Sequence, residues 1–200
     1  MESTVGLINR RLVEQMILAG VFAGLYQVAW WIQVHFLDVF DIFPGVSLLF
    51  LPAGIKLLAI IIGGFPGVIG VYAVAVLADM QVWAQHDLMF HLASQMVWIG
   101  APYLTYLAIR RYFQIDDHLV TVTGGQIGLV AVVVTVASSL ASRAFYYVTG
   151  DVPLDIFNVS TWGMSLGDVA GIMLVLFGVS LVKRRIESKH SPSIPSHLER

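Results

Sequence analysis

Two apolar segments joined by Gly63-Gly64-Phe65-Pro66-Gly67 fill the stretch from Phe50 to Asp79, and they constrain the chain more than any other feature. Glycine and proline in that density stop regular structure, so the stretch predicts a helical hairpin, and its length and apolarity suit the inside of a membrane. Each arm nevertheless carries a charge: Lys56 four residues after Pro52, and Asp79 near the end of the second arm. Charges at membrane depth are expensive and face protein or water.

The remainder of the chain agrees. Only 12% of residues are charged and 58% are hydrophobic, with mean hydropathy +0.81, against roughly 25% charged in soluble domains. The fold class expected is an all-α polytopic membrane bundle, one domain over residues 1–182. With no cysteine, disulfides, thiolate chemistry and Cys-ligated metal sites are excluded. No metal site, cofactor, catalytic constellation or nucleic-acid partner is expected.

Apolar runs and polar breaks predict six helices, about 12–34, 46–62, 66–83, 88–109, 126–148 and 159–182, with a disordered tail over 183–200. In the second helix Pro52 is expected to kink the helix and free a carbonyl for Lys56. Residues 35–45, with Asp38, Asp41 and the Pro44-Gly45 stop, read as an interfacial loop. In the first helix Ala19 and Ala23, with Gly20 and Gly24, have the small-xxx-small spacing of close helix packing.

In a six-span model Arg10, Arg11, Arg110, Arg111, Lys183, Arg184, Arg185 and Lys189 fall on one side, and Asp38, Asp41, Asp87, Asp151 and Asp155 on the other. The positive-inside rule then places both termini in the cytoplasm. At about 1.5 Å per helical residue, Lys56 and Asp168 share a depth roughly 13 Å below the outer boundary, and Arg143 and Asp79 one of roughly 7 Å. An unpaired charge there costs about 2.5 to 3.5 kcal/mol, so the expectation is Lys56 with Asp168 and Arg143 with Asp79, or one cluster of four. The pairs serve either ligand binding or structure.

Weaker features are discounted. Gly163-Met164-Ser165-Leu166-Gly167 matches G-x-S-x-G, but inside an apolar helix it reads as a helix contact rather than a nucleophile elbow. His86 and His91, five apart, are poorly spaced for two ligands on one helical face and read as interfacial.

Leu51-Pro52-Ala53-Gly54-Ile55, Phe65-Pro66-Gly67 with Gly70, and Trp162 followed by Leu166-Gly167-Asp168 and Gly171 resemble MASE1, a family of bacterial membrane-associated sensor domains. The resemblance implies a non-enzymatic sensory domain of the bacterial inner membrane, with Pro52, Gly54, Pro66, Gly67, Trp162, Gly167 and Asp168 as family-type residues. Members usually carry a kinase or cyclic-di-nucleotide output module after the last helix. Here the chain continues only as a short tail, so the signal is expected to pass through membrane contacts to a separate protein. The chain is also similar, in helix number and in its Ala-xxx-Ala, to substrate-capture subunits of energy-coupling-factor vitamin transporters. A third alternative is a structural accessory subunit of a larger membrane complex.

Overall fold

The computed structural model describes residues 4–43, 45–114 and 124–190, with side chains left out of the account at 4–8, 124, 125, 127 and 187–190. Six helices dominate: α1 (Thr4–Phe36), α2 (Leu51–Leu58), α3 (Gly64–Val82), α4 (Leu88–Tyr112), α5 (Gly124–Val148) and α6 (Leu154–His190). A π-helical turn, Ala59–Gly63, continues α2. Two short strands, β1 (Asp41–Phe43) and β2 (Val46–Ser47), pair antiparallel with Asp41 opposite Ser47 and Phe43 opposite Val46. The fold is all-α apart from this ribbon.

Four stretches among the described residues are long and apolar enough to cross a membrane: Asn9–Phe36, Leu51–Val82, Gly128–Val148 and Leu154–Ile186. The second is not one straight rod. The backbone N–H of Leu51 donates to Gln33 Oε1 at 3.1 Å, and Trp30 Nε1 donates to Gln81 Oε1 at 3.2 Å. Both ends of the stretch therefore reach the same turn of α1, whereas a straight helix of that length would separate them by roughly 45 Å. The chain folds back at Gly64, whose φ of 55° lies in the left-handed region that favours glycine. Pro66 then sits in the first turn of α3.

The expected helix over 46–62 needs correction. Val46 and Ser47 are strand, helix starts only at Leu51, and α2 with its π turn measures about 20 Å against a hydrocarbon core of roughly 30 Å. Pro52 falls in the first turn, where a missing N–H costs nothing, so it starts the helix and does not kink it. The helix α4 has the length of a span, but His91, Ser94, Gln95, Thr105 and its terminal arginines keep it from being apolar enough. At the chain's end α6 runs on to His190, past the expected tail start at 183, while residues 191–200 lie outside the described residues, as do Pro44, Asp116, Asp117 and His118.

Glycines let backbones touch. On α6, Gly163, Gly167 and Gly171 recur every four residues and so form one stripe. A Cβ at Gly167 would collide with the Ser47 carbonyl, one at Gly171 with the Phe50 carbonyl, and one at Gly163 would press on Ile42 and Val46. Phe50 N–H donates to Gly167 O at 3.0 Å. The segment from β2 to α2 therefore lies on α6 backbone to backbone, and Gly54 meets Val175 and the Gly171 carbonyl one turn further. Between α1 and α3, Gly70 packs against the Ala19 backbone, while Gly20 and Gly24 have nothing within 4 Å and take no part in packing.

One end of the bundle gathers the β-ribbon, the α3–α4 connection and the α5–α6 connection. His86 Nε2 and Asp151 Oδ1, 2.7 Å apart, tie the two connections together. This end carries Asp38, Asp41, Asp87, Asp151 and Asp155; the Gly64 turn and Arg110 lie together at the other.

Candidate functional site

A cavity of about 500 Å³ opens within the end that holds the β-ribbon. Its walls come from α1, the ribbon, α3, α4, α5 and α6, and three of the four charges singled out in the sequence line it: Asp79, Arg143 and Asp168. The fourth, Lys56, is 3% exposed behind Trp98. Volumes of roughly 300 to 1,000 Å³ are typical of small-molecule sites.

Lys56 and Asp168 come together. The ammonium lies 3.5 Å from Asp168 Oδ2, donates to Ser138 Oγ at 2.9 Å and sits 3.7 Å from the centre of the Trp98 ring. Thus α4, α5 and α6 each present one partner to a single cation on α2: an aromatic face, a hydroxyl and a carboxylate. The expected carbonyl partner from a Pro52 kink is replaced by Ser138, whose hydroxyl in turn donates a hydrogen bond to Trp98 O at 3.1 Å. The Gly167 stripe is what holds α2 close enough to α6 for the ion pair to form.

Arg143 and Asp79 do not pair. Arg143 Nη2 donates to the Gly45 carbonyl at 3.0 Å, and its guanidinium lies 5.1 Å from the Tyr146 ring centre. Asp79 is satisfied separately, by Ser94 Oγ at 2.7 Å, Tyr146 OH at 3.1 Å and His91 Nδ1 at 2.8 Å. Tyr146 stands between the two charges, its hydroxyl on the acid and its face toward the base. Depth along a helix is a single coordinate; two residues at one level can still point to different neighbours.

His91 corrects another expectation. It is 1% exposed and bonded to Asp79, not facing the membrane boundary; α4 starts at Leu88 as expected, with the Asp87 carboxylate capping the Phe90 N–H at 2.9 Å, and residue 91 falls on the face turned to Asp79 of α3. Asp79, His91 and Ser94 are three hydrolase-type residues, yet Ser94 donates to the carboxylate and not to the imidazole, so its hydroxyl is not activated. Ser165 is tied to its own helix, donating to Thr161 O at 2.9 Å.

The second strand, expected as the start of a helix, turns into the bundle: Val46 and Ser47 are buried and line the cavity, while Asp41 and Ile42, within the loop expected over 35–45, stay exposed. Gly45, with φ 68°, makes the turn and presents its carbonyl to Arg143. Gln33 secures the exit, donating from Nε2 to Ser47 Oγ at 3.3 Å while its Oε1 caps α2.

Aromatic groups complete the walls. Tyr26 and Phe50 both meet Trp98 edge to face, and Trp83 stacks on Tyr146 with centroids 4.9 Å apart. Sequence reasoning missed Trp98, Tyr146, Ser138 and Gln33. The signal available for Ser138 was the run Ser138, Ser139, Ser142, Arg143, polar residues one helical turn apart in an otherwise apolar segment. Of the family-type residues, Pro52, Gly54, Gly67 and Gly167 are buried packing positions, Pro66 is half-buried, and Trp162 is 62% exposed on the outside of the bundle, away from the cavity.

Two features of the cavity are chemically unfinished. Arg143 Nε and both oxygens of Asp168 are buried and accept or donate no hydrogen bond among the described residues. Arg143 and Asp168 are 2% and 1% exposed. Comparison of the chain with protein-family models, with curated proteins and with solved structures finds no match.

Proposed function

We propose that this chain is a multi-pass receptor of the bacterial inner membrane, related to the membrane-associated sensor family it resembles, which takes a small ligand into its outer cavity and relays occupancy to a separate membrane protein. The observation that carries this reading is unmet hydrogen-bonding capacity on the wall of one cavity: Arg143 Nε has no acceptor among the described residues, and Asp168, ion-paired with Lys56 at 3.5 Å, accepts no hydrogen bond there. A purely structural ion-pair network tends toward complete pairing, because each buried polar group left unmade costs about 1 to 3 kcal/mol and charged ones more.

In this reading all six helices lie in the bilayer, both termini are cytoplasmic and the cavity faces outward. The segregation of basic residues to the end away from the cavity supports that orientation. The role is sensory and not enzymatic, and the output passes through the lipid-facing surface of α6, where Met173 and Phe177 are 63% and 61% exposed.

An outward cavity also suits the substrate-capture subunit of an energy-coupling-factor transporter, so the partner decides. With a photo-crosslinking residue at Phe177 in living cells, the receptor reading predicts an adduct with a kinase, cyclase or other signalling protein. An adduct with an ATPase-associated coupling protein contradicts it and favours transport. Adducts with many subunits of one large complex contradict it in favour of an accessory role.

A further inference from the structure

Resting on the reading of the cavity as a ligand site, we infer that its ligand is a small zwitterion of the amino-acid type, with a carboxylate for Arg143, an N–H-bearing ammonium for Asp168 and an apolar body among the aromatic walls. Arginine cannot shed its proton in a protein and offers five N–H donors in a planar fork. Of these, Nη2 is engaged with Gly45 O, and Nε is buried with no acceptor. The fork therefore has room for a planar, acceptor-only group, which is what a carboxylate presents.

Asp168 is the complementary vacancy. Its ionic partner Lys56 stands 3.5 Å away, and neither carboxylate oxygen accepts a hydrogen bond among the described residues. A donor brought by the ligand would complete it. A quaternary ammonium, which has no N–H, would need an aromatic cage, and the Trp98 face is already taken by Lys56.

Charge balance excludes simpler ligands. Counted with histidine neutral, Lys56, Arg143, Asp79 and Asp168 sum to zero, the cheapest state at membrane depth. A simple anion would leave net charge in the bundle, and Asp38 and Asp41 at the cavity mouth would repel it. A simple cation would leave Arg143 unfinished. A zwitterion answers both vacancies and keeps the sum at zero, while Tyr26, Trp30, Phe50 and Met164 line the rest of the space.

The test uses three matched probes, L-phenylalanine, 3-phenylpropionate and phenethylamine, titrated calorimetrically into the full-length protein in lipid nanodiscs. The expected result is saturable binding of L-phenylalanine at least tenfold tighter than of either truncated probe. In Asp168→Asn the advantage over 3-phenylpropionate should vanish while that over phenethylamine persists; Arg143→Gln should do the reverse. The wild-type ranking stands alone if a variant fails to fold. Equal affinity for L-phenylalanine and 3-phenylpropionate, equal affinity for L-phenylalanine and phenethylamine, or no binding of any probe overturns the inference. The receptor reading is judged separately, by whether Met164→Cys on the cavity wall can be labelled from outside: labelling without phenylalanine binding sinks only the ligand class, and no labelling sinks the site itself.

Discussion

Phe50 and Gly167 are joined backbone to backbone, the N–H of one on the carbonyl of the other at 3.0 Å, and this contact sets the distance at which Lys56 and Asp168 face each other. It exists because position 167 has no Cβ. Gly167→Ala should force α2 and the ribbon off α6, costing about 1 to 3 kcal/mol or more by overpacking. Gly178→Ala on the same helix meets nothing within 4 Å and should be neutral or stabilising by up to about 1 kcal/mol. Thermal unfolding in mild detergent compares the two; equal midpoints would contradict the packing account.

Removing one partner of a buried ion pair leaves a charge without compensation. Lys56→Met and Asp168→Leu should each destabilise by about 3 to 5 kcal/mol, and the double variant should lose less than either alone. Additive losses in a double-mutant cycle would mean that the two charges do not interact.

The same measurement distinguishes what holds Asp79. Tyr146→Phe removes a hydrogen bond to a carboxylate and should cost about 1.5 to 3 kcal/mol. Coupling between Tyr146 and Asp79 should exceed coupling between Arg143 and Asp79. The opposite order would restore the direct arginine–aspartate pair expected from depth alone.

Ser138 relays between Lys56 and the Trp98 carbonyl. Ser138→Ala should cost about 1 to 3 kcal/mol, because a buried ammonium loses an acceptor. Ser138→Thr, which keeps the hydroxyl, should recover part of that loss in the same unfolding assay.

What could be read from the sequence was what one dimension encodes. Long apolar runs located α1, α5 and α6, and the Gly-Gly-Phe-Pro-Gly signal located the turn at Gly64, because both depend on local composition. Helical rise placed Lys56 and Asp168 at one level. It could not place Arg143, because rise gives the level and not the direction in which a side chain points; Arg143 turns to Gly45 and Tyr146. The ribbon was hidden because Val46-Ser47-Leu48-Leu49-Phe50 is as apolar as a helix, and only the glycine stripe of a helix more than 100 residues later makes an extended path fit there. Trp98 and Tyr146 were not singled out, because nothing in the sequence separates an aromatic residue that only packs from one that also meets a charge. In both, one part of the side chain packs and another binds a charge.

The cavity opens at the end of the bundle opposite Arg110 and the Gly64 turn. The chain has no cysteine, so single substitutions report without background. In intact cells, a small membrane-impermeant methanethiosulfonate should modify Met164→Cys inside the cavity and Gln85→Cys beside its mouth, and should reach Tyr112→Cys at the basic end only after permeabilisation. Modification of Tyr112→Cys in intact cells, or of Met164→Cys only after permeabilisation, would contradict an outward-facing cavity.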